Sequence, residues 1–379
     1  MKIRVERDVL ADAATWVVKS LPARPPIPVL GGVMVEATDD GMLTVSGFDY
    51  ETSARAEIDA TVITAGRVLV SGRLLADIMR ALPNKPVDVV ADGARVSIAC
   101  GASKFSLPTM PVEDYPQLPD LPQLAGTVPA AVLATAVQSV ATAAGKDDTL
   151  AMLTGVRMEV TGSRLTLAAT DRFRLAVREL DWSPAAGVGD SAVLIPARAL
   201  MEAAKQLGDA GTVSVFMDAN AGMIGFAGGG RQATTRLLDA EFPRFRQLIP
   251  ADHTATSVVD VADLVGAVKR VSLVAGRVAQ IRMAFGPDGL TLSAGGDDVG
   301  SADETVSATL VGDGLTIAFN PGFLLDSLAA MDAEHCRLTF LNPNKPALMR
   351  PERPPREGDD VETGEFLHLM MPVRLPEGA

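Results

Sequence analysis

The sequence is poor in the residues from which metal sites and nucleophilic active sites are built. It has 2 cysteines and 3 histidines in 379 residues. Cys100 and Cys336 belong to no CxxC or Cys/His spacing, so neither a disulfide framework nor a zinc site is expected, and no cofactor is predicted. The histidines, His253, His335 and His368, lie in no motif for nucleophilic catalysis. These absences disfavour a disulfide framework, a structural zinc site and Ser-His or Cys-His nucleophilic catalysis.

Long apolar runs are also missing. Charged residues, Gly or Pro interrupt every apolar stretch well before the roughly 18 residues that a membrane-spanning helix needs. The start, MKIRVERDVL, has no apolar signal core. The mean hydropathy of +0.22 comes from Ala, Val and Leu, since aromatic residues make up only 4% of the chain. The sequence therefore predicts a cytoplasmic protein with no membrane partner.

Phosphate-binding loop motifs are absent, and the acidic pairs lie in turn-like sequence. Asp147-Asp148 and Asp297-Asp298 are each flanked by Gly or Thr, where Asp is favoured for backbone hydrogen bonds. A metal-dependent phosphodiesterase would need several carboxylates converging on one site. That enzyme remains an alternative of another class, and a repeat scaffold that binds only peptides is a third interpretation.

What the sequence does contain is a long internal repeat. Similar strand segments recur at intervals of about 125 residues, and each follows a hairpin turn with Gly at or next to its tip. These segments are Leu43–Ser46, Leu165–Ala168 and Leu290–Ser293. Upstream of each hairpin, apolar residues recur at three- and four-residue steps from Val9, Val132 and Asp263, which predicts a helix in each copy.

Each copy also contains a second predicted helix, entered from a short strand near Val68, Val193 or Thr316. Helices and antiparallel strands in this order predict an α+β fold of three tandem helix/sheet domains, at residues 1–122, 123–251 and 252–379. An arc of such domains leaves sheet edges unpaired at both ends, and a second chain would pair them. We therefore expect a head-to-tail ring dimer.

Basic residues stand out on several predicted helices of an otherwise acidic chain with a formal charge of −13. Such local cations can hold a polyanion by neutralising phosphates without reading sequence. The residues on these helices that we expect to contact such a polyanion are Arg73, Arg80, Arg198, Lys205, Lys269 and Arg277.

Three segments carry a resemblance that spans the chain: TDRFRLAVREL from Thr170, LLDAEFPRFRQLIP from Leu237 and MMPVRLP from Met370. With the three-copy plan, they resemble the bacterial DNA polymerase III beta subunit, the sliding clamp family. The preference for Arg over Lys and the Ala-rich composition indicate an actinobacterial type. The resemblance implies a non-catalytic processivity factor that encircles duplex DNA as a homodimer and slides along it.

The resemblance also implies the partners. These are the DNA polymerase III alpha subunit, the clamp loader and other clamp-motif proteins of replication and repair, which dock through a peptide-binding cleft. An alternative within the family is a spare clamp paralogue that confers resistance to a clamp-binding antibiotic. The residues of this chain that match the family cleft are Leu153, Thr170, Arg172, Phe173, Arg174, Leu175, Pro243, Gln247, Leu248, Pro346, Met370, Met371, Pro372, Val373 and Arg374.

Some matched positions depart from the family pattern. Arg172 and Phe173 stand where some clamps have Gly-His, Gln247 replaces an Arg and Val373 replaces a Met. For DNA contact the resemblance adds Arg24 and Lys146. For the dimer interface it implies Lys104 and Phe105 of one chain against Leu273 and Val274 of the other.

Overall fold

A computed structural model describes residues 1–21, 25–218, 222–275, 280–296, 300–352 and 366–374. Two compact units are present. Unit 1 comprises Met1–Ala134, Ser183–Val188 and Arg198–Leu237, and unit 2 comprises Thr135–Trp182, Gly189–Ala197 and Leu238–Ala379.

Six α-helices and twenty-seven strands occur in the described residues. The helices are α1 (Arg7–Ser20), α2 (Gly72–Ala81), α3 (Ala130–Ala141), α4 (Ala197–Leu207), α5 (Val261–Val271) and α6 (Pro321–Ala329). The strands are β1 (Lys2–Val5), β2 (Gly32–Ala37), β3 (Met42–Phe48), β4 (Thr52–Asp59), β5 (Thr61–Thr64), β6 (Gly66–Ser71), β7 (Val87–Asp92), β8 (Arg95–Cys100), β9 (Ser103–Pro108), β10 (Leu124–Pro129), β11 (Gly155–Thr161), β12 (Arg164–Thr170), β13 (Arg174–Asp181), β14 (Ser183–Pro184), β15 (Ser191–Pro196), β16 (Thr212–Asp218), β17 (Met223–Gly228), β18 (Arg231–Arg236), β19 (Ala255–Asp260), β20 (Ile281–Gly286), β21 (Gly289–Gly296), β22 (Gly300–Val306), β23 (Ala308–Gly312), β24 (Leu315–Phe319), β25 (His335–Phe340), β26 (Ala347–Glu352) and β27 (Phe366–Met370).

Unit 1 contains two antiparallel sheets. One has the order β5-β1-β7-β8-β9, and the other has the order β14-β10-β16-β17-β18-β4-β3-β2-β6. Helix α1 packs on α2 and on strands β3 and β4, and its Trp16 is almost completely buried. Strands β4 and β18 pair directly, with Ser53 opposite Thr234, so strands from the first and second sequence copies share one sheet.

Unit 2 has the same design. Its sheets have the orders β15-β11-β12-β13-β27-β26-β25-β19-β23 and β22-β21-β20-β24. Helices α5 and α6 pack on each other, and each begins at a side-chain cap: Asp260 accepts from Asp263 N, and Asn320 accepts from Gly322 N and Phe323 N. Strands β13 and β27 pair, which joins the second and third copies.

An equivalent backbone hydrogen bond occurs in each of the three copies. Met110 N donates to Leu69 O in unit 1, and in unit 2 Leu238 N donates to Leu194 O and Val373 N to Ala318 O, each over 2.8 Å. The α+β fold of three helix/sheet copies is thus confirmed. The boundaries at residues 122 and 251 stay a prediction, because contacts group the chain into two units instead.

Some predicted positions, namely Arg24, Arg277, Asp297 and Asp298, lie outside the described residues. Among the helices that are described, none combines the length and the apolar character needed to cross a bilayer. In the same part of the chain, no three His, Cys, Asp or Glu side chains are grouped so that they could hold a metal ion.

Candidate functional site

Strand register in unit 2 brings three of the predicted cleft segments to one end of a sheet. Arg174 of β13 pairs with Met370 of β27, which pairs in turn with the first residue of β26. Just beyond this row, Met371 N donates to Phe173 O over 2.8 Å. Pro346 directly precedes β26 and so lies at the same end. Residues that are far apart in sequence are therefore neighbours here.

The site has an apolar floor and exposed apolar side chains. The floor is a cluster of buried residues that includes Ala168, Leu175, Val177, Leu194, Phe242, Phe245, Leu348 and Leu369. Leu153 and Met370 are also buried. In contrast, Phe173 is 55% exposed, Leu248 50% and Met371 39%. Apolar side chains exposed next to a buried apolar cluster are typical of a surface that binds a partner.

The segment between β18 and β19 supplies another part of the site. Phe242 and Phe245 pack edge to face, with ring centroids 6.1 Å apart, and a short 3-10 helix, Phe245–Leu248, follows. Arg246 lies over the Phe245 ring and pairs with Glu159 of β11, Nη1 to Oε2 2.6 Å. Burial raises the pKa of Glu159, but hydrogen bonds from Arg157 and Arg246 outweigh it and leave that pKa below its usual value. The Arg246–Glu159 pair therefore holds this segment on the sheet.

The turn between β12 and β13 is built by its own side chains. The Asp171 Oδ1 atom accepts from Phe173 N and Arg174 N, each over 3.0 Å. The Thr170 hydroxyl donates to Arg174 O over 2.7 Å and accepts from Arg172 N. Arg172 has φ +78°, in the left-handed region. Thr170, predicted as a peptide contact, thus has its hydroxyl engaged within the turn.

Arg174 links this turn to helix α6. Its side chain is 5% exposed and pairs with Asp171, Nε to Oδ2 3.0 Å, and with Asp326, Nη1 to Oδ2 2.7 Å. Its guanidinium lies 4.5 Å from the centroid of the Phe323 ring, and Phe173 stacks on that ring at 6.3 Å. Arg174, which the resemblance places among the peptide-contacting residues, therefore holds the turn against α6.

A buried histidine lies on β27 beside α6. The ring Nδ1 of His368 is 2.8 Å from Ser327 Oγ, which also donates to Phe323 O. The side chain has no exposed surface. Burial, together with a smaller contribution from the charge of Arg174, lowers the pKa of His368 to about 3. The imidazole is therefore neutral in the folded protein at neutral pH.

This burial makes a prediction about stability in acid. The folded pKa of about 3 lies below the ordinary value of 6.5, so the stabilisation is present above pH 6.5 and is lost as the pH falls toward 3. The loss has a slope of roughly 1.4 kcal/mol per pH unit. Between pH 7 and pH 5, the free energy of unfolding measured by urea titration should fall by about 2 kcal/mol less in His368→Asn than in the wild type. Substitution of the exposed His253 serves as the control, and identical losses in H368N and wild type would contradict the assignment.

Unit 1 contains a counterpart of this turn, with a different residue pair behind it. In the turn between β3 and β4, Asp49 Oδ1 accepts a hydrogen bond from Glu51 N, and Tyr50 has φ +75°. Arg236 N donates to Glu51 O, and this bond corresponds to the one from Met371 N to Phe173 O. At the place of the apolar pair Leu175 and Leu369, unit 1 has Ser53 and Thr234, whose hydroxyls hydrogen-bond over 2.7 Å. A polar pair therefore stands behind the turn of unit 1, where unit 2 has an apolar pair.

Apart from Val274, the described residues that were predicted for the dimer interface and for DNA contact are exposed. Phe105 is 40% exposed on β9, an edge strand of unit 1, and Lys104 beside it is exposed. In unit 2, Leu273 is 84% exposed just after α5, and Val274 is half-buried. The predicted basic residues that are described are all exposed, namely Arg73, Arg80, Arg198 and Lys205 in unit 1 and Lys146 and Lys269 in unit 2. These placements agree with contact surfaces but do not test the roles.

Several residues of the site were missed by sequence reasoning. Phe323, Asp326 and Ser327 belong to α6, about 150 residues from the turn that they support, and no local pattern links them to it. Asp171 had a recognisable signal, because Asp followed by amides two and three residues later is a common turn motif. Glu159 pairs with Arg246 only because the fold brings β11 and the linker together.

Comparison with known families identifies the pattern. Three models of the DNA polymerase III beta subunit match in order: the N-terminal domain over residues 1–119, the central domain over 127–244 and the C-terminal domain over 246–362. Together they span nearly the whole chain.

Individual relatives agree. The chain is 50% identical over 379 residues to the beta sliding clamp of Streptomyces coelicolor, covering 99% of this chain and all of that protein. It is 40% identical over 376 residues to the beta sliding clamp homolog GriR of Streptomyces muensis, covering 99% of this chain and all of GriR. Among solved structures, the sliding clamp of Pseudomonas aeruginosa bound to griselimycin superposes with a TM-score of 0.90 at 25% identity, over 99% of this chain and all of that one.

Proposed function

Because the chain belongs to the DNA polymerase III beta subunit family, its function is that of a sliding clamp, and we propose that it acts as a homodimeric ring around duplex DNA. It is a non-catalytic replication factor, not an enzyme. The observation that carries this function is the match of all three family domains, in order, along one chain. The cytoplasm, where bacterial chromosomes are replicated, is its proposed location.

The cleft of unit 2 is the surface that we propose for partner proteins. The DNA polymerase III alpha subunit, the clamp loader and other clamp-motif proteins would each insert a short peptide with an apolar end. The exposed side chains of Phe173, Leu248 and Met371 beside the buried floor support this role. A preformed apolar groove with a few polar groups at its rim suits such a ligand.

DNA would be held mainly by topology. The exposed cations of α2, α4 and α5, such as Arg73, Arg198 and Lys269, would contact phosphates without reading bases. A chain with a net charge of −13 gains little from its overall field, so these contacts should be weak and easily screened by salt.

A topological experiment tests the function. Loaded onto a nicked circular plasmid by a bacterial clamp loader with ATP, the protein should stay on the closed circle during gel filtration in high salt. It should be lost by sliding off within minutes once a restriction enzyme cuts the circle. Binding to a linear duplex of equal length, without the loader, should fall steeply with salt. Equal retention on cut and closed DNA would contradict a ring.

A spare paralogue that protects its host from a clamp-binding antibiotic is the second candidate. The similarity to GriR favours it, while the higher identity to the Streptomyces coelicolor clamp favours the replicative clamp. Depletion of the protein in its host separates the two roles. A replicative clamp is needed for growth in plain medium, whereas a spare copy is needed only when a clamp-binding antibiotic such as griselimycin is present.

A further inference from the structure

A groove lies between helices α5 and α6 of unit 2, and none of the residues lining it belongs to the predicted peptide cleft. Its volume is about 520 Å³. Val261 and Val265 line it on α5, and Leu325 and Leu328 line it on α6. Sites for small molecules are mostly apolar and usually have volumes of roughly 300–1,000 Å³. The groove therefore has the size and the lining of a site for one small molecule.

The two ends of the groove differ in charge. Val261 N donates to Glu334 O over 2.8 Å, which brings the segment after α6 to the start of α5. Asp260 and Glu334, which both line the groove, therefore lie at the same end. Lys269 lines the opposite end, eight residues along α5 from Val261, so the groove is about 12 Å long. That length suits a molecule of two linked rings, whereas a docked helix usually has about three or four turns.

The acidic end has two carboxylates and no cation to balance them. The Oδ1 atom of Asp260 caps α5 by accepting from Asp263 N over 2.8 Å, which fixes this carboxylate in place. Glu334 is exposed, and within the described ranges neither Asp260 nor Glu334 forms an ion pair. Asp326, the third carboxylate of the lining, is already paired with Arg174. The acidic end therefore favours a ligand that brings its own positive charge.

The charge of α6 sets this groove apart from the basic helices of the other two copies. Helix α2 carries Arg73 and Arg80, and α4 carries Arg198 and Lys205. Helix α6 contains no Lys or Arg, and its charged residue is Asp326. Local charge of one sign favours ligands of the opposite sign. The third copy thus disfavours a phosphate and favours a cation at the surface of its second helix.

We propose that the α5–α6 groove is a binding site for a small organic cation with an apolar body. The positive group pairs with Asp260 and Glu334, and the apolar body covers Val265 and Leu325. An amidinium or guanidinium suits the acidic end best, because it donates parallel hydrogen bonds to carboxylates. Lys269 at the far end disfavours a second positive charge on the same ligand.

Three probes that differ only in charge test the site on the full-length protein. They are 4-phenylbenzamidine, the neutral biphenyl-4-carboxamide and the dication biphenyl-4,4′-dicarboxamidine. Isothermal titration calorimetry gives each dissociation constant. The amide should bind about tenfold more weakly than the monocation, because it loses the charge-assisted hydrogen bonds. The dication should bind no more tightly than the monocation, whereas general attraction to a chain of charge −13 would favour the dication.

Three variants locate the site. Glu334→Gln should weaken binding of the monocation by about threefold to tenfold and leave binding of the amide unchanged. Asp263→Asn is the matched control, because it removes a carboxylate of the same helix outside the groove, and it should change the affinity by less than about twofold. Ala329→Trp should block both ligands, since Ala329 lines the groove and is exposed. Circular dichroism checks that each variant is folded.

The possible results each decide the proposal. Loss of affinity in E334Q but not in D263N supports it. Equal losses in the two variants would indicate general attraction to an acidic chain and overturn it. Binding of the monocation that survives in folded A329W would place the site elsewhere, and a wild type that does not bind the monocation overturns the site altogether. If A329W does not fold, the comparison of E334Q with D263N still gives the answer.

Discussion

Replacing Leu273 and Val274 with aspartate should convert the dimer into folded monomers. Leu273 is 84% exposed in the isolated chain, which is unusual for a large apolar residue unless a partner covers it. It lies beside β22, an edge strand of its sheet, and Phe105 is exposed on β9, an edge strand of unit 1. Two chains joined head to tail would pair such edges and bury these side chains.

The effect should be large. Covering one such side chain contributes about 1.5–3 kcal/mol, and burying a carboxylate in its place costs several kcal/mol more. We expect the dissociation constant of the dimer to rise at least about 100-fold. Sedimentation at micromolar concentration should then give one chain mass of 39.5 kDa where the wild type gives twice that value. Circular dichroism should show an unchanged fold, since Leu273 is outside the core.

Val311 provides the matched control. It is 73% exposed on the edge strand β23 of the same unit, but it belongs to no predicted interface. Val311→Asp should therefore remain dimeric. Leu273→Asp/Val274→Asp protein that is still dimeric at micromolar concentration would show that the interface lies elsewhere.

Ending the chain after Met370 should abolish peptide binding while the dimer persists. The removed residues begin with Met371, whose exposed side chain borders the cleft and whose amide bonds to Phe173 O. They also include Val373, whose amide bonds to Ala318 O. Loss of one wall of an apolar groove removes much of the buried area on which binding of a short peptide depends. We expect at least about a 30-fold rise in the dissociation constant, equivalent to about 2 kcal/mol.

The place of the cut matters because Met370 is fully buried and pairs within β27. A cut before Met370 would disturb the sheet and confuse folding with binding. A chain ending after Arg374 is the control, since it retains every predicted cleft residue and should bind like the full protein. Titration of one labelled apolar-ended peptide into the three proteins decides the matter. Equal affinity for the chain ending at Met370 and the full chain would show that the cleft has been misplaced.

Local structure and the repeat were readable from the sequence. Hairpins such as β11–β12 and β20–β21 follow from alternating apolar residues around glycine-containing turns, and α1 and α5 follow from apolar residues at helical spacing. These signals arise between residues a few positions apart. Repetition of such signals along the chain established three copies and, through the TDRFRLAVREL and MMPVRLP segments, the family.

Only the tertiary structure shows what surrounds the cleft residues. The resemblance placed Arg174 among the peptide contacts, and the fold buries its side chain against Asp326 of α6. Tertiary pairing also places an apolar pair, Leu175 with Leu369, behind the turn of unit 2 and a polar pair, Ser53 with Thr234, behind the matching turn of unit 1. Such contacts join residues more than 150 positions apart, so strand register between distant segments sets them, and no local pattern encodes that register.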